Sequence, residues 1–237
     1  MKSLSTQNTK SLFRVFAVLL FFLSGCVSTT TSYRMPTVID SSAKYIFFLH
    51  GTITEKQGPY ATHPIYGTYD FYKMTKAISD QGFMVISEVR KKNTNIQLYA
   101  GKIADQVKEL LTQGVPPGNI SVVGFSKGGA ITLYASSILK NDKINFVVMA
   151  GCGANGKYRK NYKRFLRSAA HDLKGRILSI YDINDSICGS CETAFKLAAG
   201  GISSKEIKLT VGKGHGTFYQ PRKEWLIPVV KWINSSE

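Results

Sequence analysis

The chain has 237 residues and a formal net charge of +16, from 31 lysines and arginines against 15 aspartates and glutamates. This length allows one well-buried domain behind a leader segment and excludes two domains followed by a tail. The positive charge favours an anionic partner such as a membrane or a polysaccharide. No zinc-finger spacing, RNA-binding aromatic motif or basic-zipper heptad accompanies that charge, so we expect no nucleic-acid partner.

The N-terminal segment has the pattern of a signal peptide. Lys2, Lys10 and Arg14 precede the apolar run Val15–Leu23, which suits a signal-peptide core and is too short to span a bilayer. The run ends in the letters L-S-G-C, the last being Cys26. This ending resembles the lipobox of bacterial lipoproteins, in which the cysteine receives a diacylglycerol and cleavage occurs just before it. The resemblance implies a signal peptide over residues 1–25 and lipidation of Cys26. The alternative is an ordinary secretory signal with a chance cysteine.

Residues 26–43 comprise Cys26 and a segment, Val27 to about Ser42, that is rich in serine and threonine and has no sustained apolar period. Such a composition is typical of a flexible tether. Val27 stands where an aspartate would indicate retention in the inner membrane of enteric bacteria. We therefore expect a lipid-anchored protein of the bacterial cell envelope, attached to the outer membrane and facing the periplasm or the cell surface.

Residues 44–237 alternate between short apolar strands and helices that end at glycine or before proline. This alternation predicts βαβ units, and therefore one α/β domain with a mostly parallel, doubly wound sheet. We expect an irregular loop over Thr54–Gly67. The predicted strands are Tyr45–Leu49, Phe83–Val89, a run starting at Ile120, Ile144–Ala150, Arg176–Tyr181 and Glu206–Val211. The predicted helices are Asp70–Gln81, Ile96–Gln113, Gly129–Leu139, Glu192–Ala199 and Glu224–Ile233.

A G-x-S-x-G motif lies between the Ile120 strand and the helix that follows it. The motif runs from Gly124 to Gly128, with Ser126 at its centre. A sharp strand-to-helix turn of this kind needs glycines where a Cβ would clash, and it presents the serine hydroxyl at a helix N-terminus. The motif therefore favours Ser126 as a nucleophile. The alternative is a Gly/Ser turn that closes an αβ unit.

A serine nucleophile needs a base, and the base needs a carboxylate that orients it. His215 lies in a glycine-rich loop after the last predicted strand, and Asp185 lies just past the preceding strand. Because the carboxyl ends of parallel strands meet at one edge of a sheet, we expect these residues to lie near Ser126. Asp182 is a second candidate for the acid, although a role in capping its own turn suits it better.

Together these elements resemble an α/β-hydrolase over residues 44–237. The matching features are His50-Gly51 after an early strand, G-F-S-K-G, an aspartate past a late strand, and the late histidine. The resemblance implies that Ser126 is the nucleophile, His215 the general base and Asp185 the acid. It implies an oxyanion hole formed by the backbone N–H groups of Lys127 and Thr52, and it implies no cofactor and no metal.

Two departures from the family pattern stand out. The two N-terminal antiparallel strands are missing, and no long insertion follows Ala150, so we expect a compact core without a large cap domain. In place of a cap comes a short basic segment with Tyr158, Tyr162 and Phe165 at helical spacing. Its charge favours an anionic substrate or acidic lipid headgroups, whereas the alternative is a solvated helix face with the aromatic rings packed inward.

Three cysteines remain after Cys26, and an oxidising envelope favours a disulfide between two of them. Cys188 and Cys191 can close on each other, or Cys152 can pair with either one. A thioredoxin-like role for C-G-S-C is a weaker alternative, because the motif does not follow an early strand of such a fold. No grouping along the sequence has the spacing of a metal site.

The leading functional hypothesis is a membrane-anchored serine hydrolase that cleaves a carboxylic ester or thioester, with a small-molecule or lipid substrate. An amidase or peptidase could use the same three residues. A non-catalytic binding lipoprotein of the cell envelope is the alternative from another class.

Overall fold

The computed structural model describes residues 31–32, 35–198 and 200–235. The predicted signal peptide and the lipidation site at Cys26 lie outside these residues. No helix in the part of the chain that the model describes is long and apolar enough to cross a bilayer.

Eleven strands are present in the described residues, and most are short. They are β1 (Thr31–Ser32), β2 (Tyr45–Leu49), β3 (Tyr60–His63), β4 (Gly67–Asp70), β5 (Met84–Ile86), β6 (Ile120–Phe125), β7 (Asn145–Met149), β8 (Cys152–Gly153), β9 (Gly175–Asp182), β10 (Cys188–Gly189) and β11 (Ile202–Leu209).

Seven α-helices connect or follow these strands in the same residues. They are α1 (Thr52–Gln57), α2 (Phe71–Ser79), α3 (Ile96–Thr112), α4 (Lys127–Leu139), α5 (Gly156–Ser168), α6 (Glu192–Leu197) and α7 (Lys223–Asn234).

A seven-stranded sheet forms the centre of the molecule, in the order β1-β5-β2-β6-β7-β9-β11. Every neighbouring pair in it is parallel. The order reverses between β2 and β6, and in an open parallel sheet the crevice at such a reversal is where ligands bind. The segments that follow β2 and β6 carry His50-Gly51-Thr52 and Ser126, so the topology brings them to this crevice.

The core lies on both faces of this sheet. On one face, residues of α3, α4, α5 and α6 pack against the strands, and on the other face α2 and α7 do so. All five residues of β2 and all six of β6 are buried, as expected for strands that are covered on both sides. The predicted α/β class, with a mostly parallel, doubly wound sheet, is therefore confirmed.

The expected absence of a large cap also agrees with the structure. Between β7 and β9 the described chain forms β8, helix α5 and a 3-10 turn at Ala170–Asp172. The basic segment is thus a single helix that packs its buried Phe165 against the core.

The prediction of an irregular loop over Thr54–Gly67 is wrong. This region holds helix α1 and an antiparallel hairpin of β3 and β4, which pair Ala61 with Tyr69. Pro59 and Pro64 interrupt the apolar period there, and the hairpin is held by tertiary packing, in which the Tyr69 ring stacks 5.9 Å from that of Phe125. Local periodicity does not report contacts of this kind.

The ends of the outer elements also differ from the prediction. Strand β5 ends at Ile86, and β11 begins at Ile202 and ends at Leu209. Strand β11 lies at the edge of the sheet, and Ser203, Ser204 and Lys205 are exposed there. An edge strand needs no continuous apolar run, so its first half left no signal in the sequence.

Part of the segment that was predicted to be a tether belongs to the folded domain. Thr31 and Ser32 pair with β5, and Met35 and Ile39 pack partly buried against the core. The domain therefore extends N-terminal of residue 44.

Candidate active site

Ser126 occupies a strained turn between β6 and α4. Its backbone lies at φ 56° and ψ −116°, a conformation that costs a non-glycine residue roughly 1–3 kcal/mol. Two glycines make the turn feasible. A Cβ on Gly128 would overlap the carbonyl oxygen of Leu49, and a Cβ on Gly124 would overlap that of Gly128. The G-x-S-x-G spacing is thus a steric requirement of this turn.

His215 lies in the 3-10 turn Gly214–Phe218 after β11 and is buried. Its Nε2 atom lies 2.9 Å from Ser126 Oγ, and its Nδ1 atom lies 2.7 Å from Asp185 Oδ2. The ring of Phe125 packs 4.9 Å from the imidazole, which limits its rotation. The structure therefore joins Ser126, His215 and Asp185 in one chain of hydrogen bonds.

The carboxylate of Asp185 is held by the backbone around it. Its Oδ1 accepts hydrogen bonds from the N–H groups of Ile187 and Cys188, at 2.7 and 3.1 Å, and this leaves Oδ2 for the imidazole. Asp182 serves a different purpose, because it accepts from Asn184 N–H at 2.9 Å and from the Thr217 hydroxyl at 2.6 Å. Of the two candidate acids, Asp185 contacts His215 and Asp182 ties the two loops together.

The two expected oxyanion donors stand at helix N-termini. Thr52 is the first residue of α1 and Lys127 the first residue of α4, and the first N–H groups of a helix have no partner within it. Both residues line the same pocket as Ser126. The role of these two N–H groups as oxyanion donors stays a prediction from the family resemblance.

A buried ionic network that the sequence did not predict connects these two helices. Arg90 Nε donates to Glu55 Oε1 at 2.9 Å, with side chains that are 0% and 1% exposed. The other oxygen of Glu55, on α1, accepts from the Lys127 ammonium at the start of α4. Arg90 also donates through Nη2 to the carbonyl of His50. Residues so far apart in the chain leave no local pattern, so sequence reasoning had no signal for them.

Comparison with known proteins finds one family model and several solved structures that are similar to this chain. A family model described as phospholipase/carboxylesterase matches residues 81–164, which include Ser126. An acetyl xylan esterase from Paenibacillus sp. R4 shares 14% identity over 83% of this chain and 75% of its own, with a TM-score of 0.54. A putative dienelactone hydrolase from Klebsiella pneumoniae shares 14% identity over 84% of this chain and 90% of its own, with a TM-score of 0.56. Esterase PE8 shares 17% identity over 83% of this chain and 95% of its own, with a TM-score of 0.55. No curated protein matches the sequence significantly.

The chain has an α/β-hydrolase fold. The turn at Ser126 follows β6, the loop that carries Asp185 follows β9, and the turn that carries His215 follows β11. All three therefore lie at the carboxyl ends of parallel strands, where ligands bind in such a sheet.

A pocket of about 370 Å³ opens beside Ser126. Its inner part is apolar, formed by the buried side chains of Leu133, Tyr134 and Phe165. Helix α5 supplies one wall, and the first turn of α3 also lines the pocket. A cavity of this size suits a small ligand or one end of a larger one.

Three cysteines lie near the acid loop, which we define as residues 183–187 between β9 and β10 and which carries Asp185. Cys152 and Cys191 form a disulfide, and Cys188 is a free, buried thiol. Of the pairings that the sequence left open, the structure selects one that links β8 to the residue before α6. The bridge thus spans the segment that carries Asp185.

Cys188 also stands close to the hydrogen-bonded residues. Ligand atoms of Asp185, Cys188 and His215 lie within 4.8 Å of one another, a grouping that sequence spacing did not predict. However, both ring nitrogens of His215 already have hydrogen-bond partners, and burial raises the pKa of the Cys188 thiol. Since metals bind the thiolate, we assign no metal to this group.

Proposed function

We propose that this protein is a serine hydrolase that cleaves a carboxylic ester or thioester through an acyl-enzyme on Ser126. The observation that carries the proposal is the unbroken hydrogen-bond chain from Ser126 Oγ through His215 to Asp185, at 2.9 and 2.7 Å. Distances of this kind allow proton transfer from the hydroxyl to the imidazole as the nucleophile attacks.

In the first step, Ser126 Oγ attacks the substrate carbonyl while His215 Nε2 accepts the hydroxyl proton. Asp185 holds the imidazole with its proton on Nδ1 and stabilises the imidazolium that forms. His215 then protonates the leaving alcohol or thiol, and the acyl group stays on Ser126. In the second step, His215 Nε2 takes a proton from water as the water oxygen attacks the acyl carbonyl. His215 then gives that proton to Ser126 Oγ as the bond between Oγ and the acyl carbon breaks, which releases the acid and restores the free serine.

The negative charge on the tetrahedral intermediate needs donors that are already in place. The backbone N–H groups of Lys127 and Thr52 would supply them, and each donor of this kind contributes about 3–4 kcal/mol to stabilising the transition state. The ionic network of Arg90, Glu55 and Lys127 joins the helices that begin with these two residues, and we infer that it keeps the donors at a constant separation.

An ester or thioester is preferred over an amide because of the matching family model, which is described as phospholipase/carboxylesterase. Two of the similar structures, an acetyl xylan esterase and esterase PE8, also carry esterase names. An amidase or peptidase on the same three residues is the alternative within this mechanism.

We further propose that the hydrolase is anchored by a lipid on Cys26 in the outer membrane of a bacterial envelope. The support for this is the basic leader, the apolar run and the L-S-G-C ending in the sequence. A non-catalytic binding lipoprotein on the same fold is the competing function.

The decisive test is labelling with a fluorophosphonate probe combined with hydrolysis of p-nitrophenyl esters of increasing chain length. The full chain, purified in a non-ionic detergent, is compared with Ser126→Ala and His215→Ala. Matched controls are Ser168→Ala and His171→Ala, which remove exposed residues of the same types. We expect labelling and turnover in the wild type and both controls. Ser126→Ala loses both, and turnover in His215→Ala falls by at least about 1,000-fold.

A folded wild-type protein that neither labels nor hydrolyses any ester would contradict the proposal. The binding-lipoprotein function would then take its place. Equal activity in Ser126→Ala and the wild type would exclude the acyl-enzyme route.

A further inference from the structure

Helix α5 places an unusual charge pattern beside the pocket. Its thirteen residues contain no acid and have an aromatic inner face. Only two of its cations, Lys157 and Arg164, line the pocket. They lie two helical turns apart and so share one face of the helix. The basic residues of the helix are Lys157, Arg159, Lys160, Lys163, Arg164 and Arg167.

The two pocket cations are available to a ligand. Neither Lys157 nor Arg164 forms an ion pair with a described residue, although the Lys157 ammonium lies 5.4 Å from the centre of the Tyr158 ring. The third cation in the lining, Lys127, is already paired with Glu55, so its charge is compensated.

No acidic residue balances this charge within the pocket. The described lining residues include no aspartate or glutamate. The first turn of α3 also lines the pocket, and the positive end of a helix dipole adds to the field of the cations. The pocket therefore combines buried apolar residues with two unpaired cations and no acidic residue in its described lining.

From this arrangement we infer that the hydrolase selects esters that carry a second, anionic group, a carboxylate or a phosphate, held by Arg164 and Lys157. The inference rests on the proposed hydrolase function. Arg164 can bind either group by donating two parallel N–H···O hydrogen bonds, whereas Lys157 acts as a point charge. The hydrocarbon part of the substrate would lie on Leu133, Tyr134 and Phe165, with its scissile carbonyl at Ser126.

The test uses two pairs of esters, each of which compares a free carboxylate with its neutral methyl ester. Mono-4-nitrophenyl adipate and methyl 4-nitrophenyl adipate both release 4-nitrophenolate, and they place the charge on the acyl side. 4-(Butyryloxy)benzoate and its methyl ester place the charge on the leaving group. For the wild-type full chain in non-ionic detergent, we expect kcat/KM to be about tenfold higher for the anionic member of at least one pair, since two charge contacts at exposed side chains together have an effect of about this size.

The double variant Lys157→Gln/Arg164→Gln should abolish this preference, because kcat/KM for each anionic ester should fall to the value for its neutral partner. The matched control is Arg159→Gln/Lys163→Gln, which removes the same charge from the same helix at side chains that do not line the pocket. We expect the control to keep the preference. Hexanoate and butyl phosphate are then tested separately as competitive inhibitors. The one with the lower inhibition constant shows whether the pocket prefers a carboxylate or a phosphate.

Failure of this inference can be distinguished from failure of the proposed hydrolase function. If the wild type labels with the fluorophosphonate and hydrolyses the neutral and anionic members of both pairs equally, the charge selection is wrong and the hydrolase function stands. If the control variant loses the preference as fully as the pocket variant, net charge rather than the pocket sets it, and the inference is again wrong. If the folded wild type neither labels nor turns over, the hydrolase proposal fails, and this inference fails with it.

Discussion

His50 is buried just past the end of β2, two residues before Thr52, and both of its ring nitrogens form hydrogen bonds. Nδ1 lies 2.8 Å from the Gly51 carbonyl, to which it donates, while Nε2 accepts from the Arg90 backbone N–H at 2.9 Å. Burial, assisted by the positive charge of Arg90, lowers the pKa of His50 to about 3. A histidine held neutral in this way fits a structural role in the loop and leaves proton transfer to His215.

The lowered pKa of His50 predicts a dependence of stability on pH. In the unfolded chain His50 takes up a proton below its ordinary pKa of 6.5, whereas in the folded protein it stays neutral until about pH 3. Acid therefore favours the unfolded state over this range. We expect His50 alone to lower the free energy of unfolding by about 2 kcal/mol between pH 7 and pH 5.

Urea unfolding of the wild type and of His50→Gln at several pH values measures this effect. Glutamine keeps an acceptor for the Arg90 N–H and does not titrate. The curve of the variant should be flatter than that of the wild type by the stated amount. Parallel curves would show that the folded state protonates His50 as readily as the unfolded state does.

At the scale of elements, strand pairing and a disulfide restrain the acid loop, in addition to its own hydrogen bonds. Strand β10, which follows this loop, pairs with β8, and the disulfide between Cys152 and Cys191 links two residues that are 39 positions apart. Because Asp185 lies between β9 and β10, these constraints limit the movement of the carboxylate relative to His215.

We predict that removing this bridge destabilises the domain. Cys152→Ala should lower the free energy of unfolding by about 2–4 kcal/mol under oxidising conditions, since a long loop of the unfolded chain is then no longer closed. Peptide mapping of the wild type should find Cys152 joined to Cys191. Cys188→Ala is the control and should retain the bridge. A peptide that joins Cys188 to Cys191 would contradict this pairing.

The elements that sequence patterns predicted best are those in the middle of the sheet. Strand β2 has the predicted bounds, and α3 and α4 differ from the prediction by one or two residues at one end. The hairpin of β3 and β4 and the first half of β11 were missed. Central strands must be apolar along their whole length, whereas a hairpin or an edge strand is stabilised by neighbours that the local sequence does not reveal.

For the whole molecule, the high positive charge and the leader predict attachment to an envelope membrane. Stable anchoring needs more than one acyl chain, which lipidation of Cys26 would supply. We expect the full chain, expressed in a bacterium fed an alkyne-labelled palmitate, to take up the label and to sediment with the membranes. Cys26→Ala should lose the label and most of the membrane-bound fraction.

Cys188→Ala serves as the control for loss of a cysteine and should behave as the wild type does. Equal labelling of Cys26→Ala and the wild type would overturn the anchor proposal. Membrane attachment without any label would instead assign the attachment to another segment of the chain.

The sequence by itself determined the βαβ alternation, the turn at Ser126 and the chain order of Ser126, Asp185 and His215. These features depend on short-range physics, namely the periodicity of apolar residues and the clash of a Cβ within a tight turn. Only the tertiary structure decided that Asp185 rather than Asp182 contacts His215 and that Cys152 pairs with Cys191. It also revealed the pairing of Arg90 with Glu55 and the two cations of α5 that face the pocket. Each of these depends on residues far apart in the chain meeting at one edge of the sheet, which no local pattern encodes.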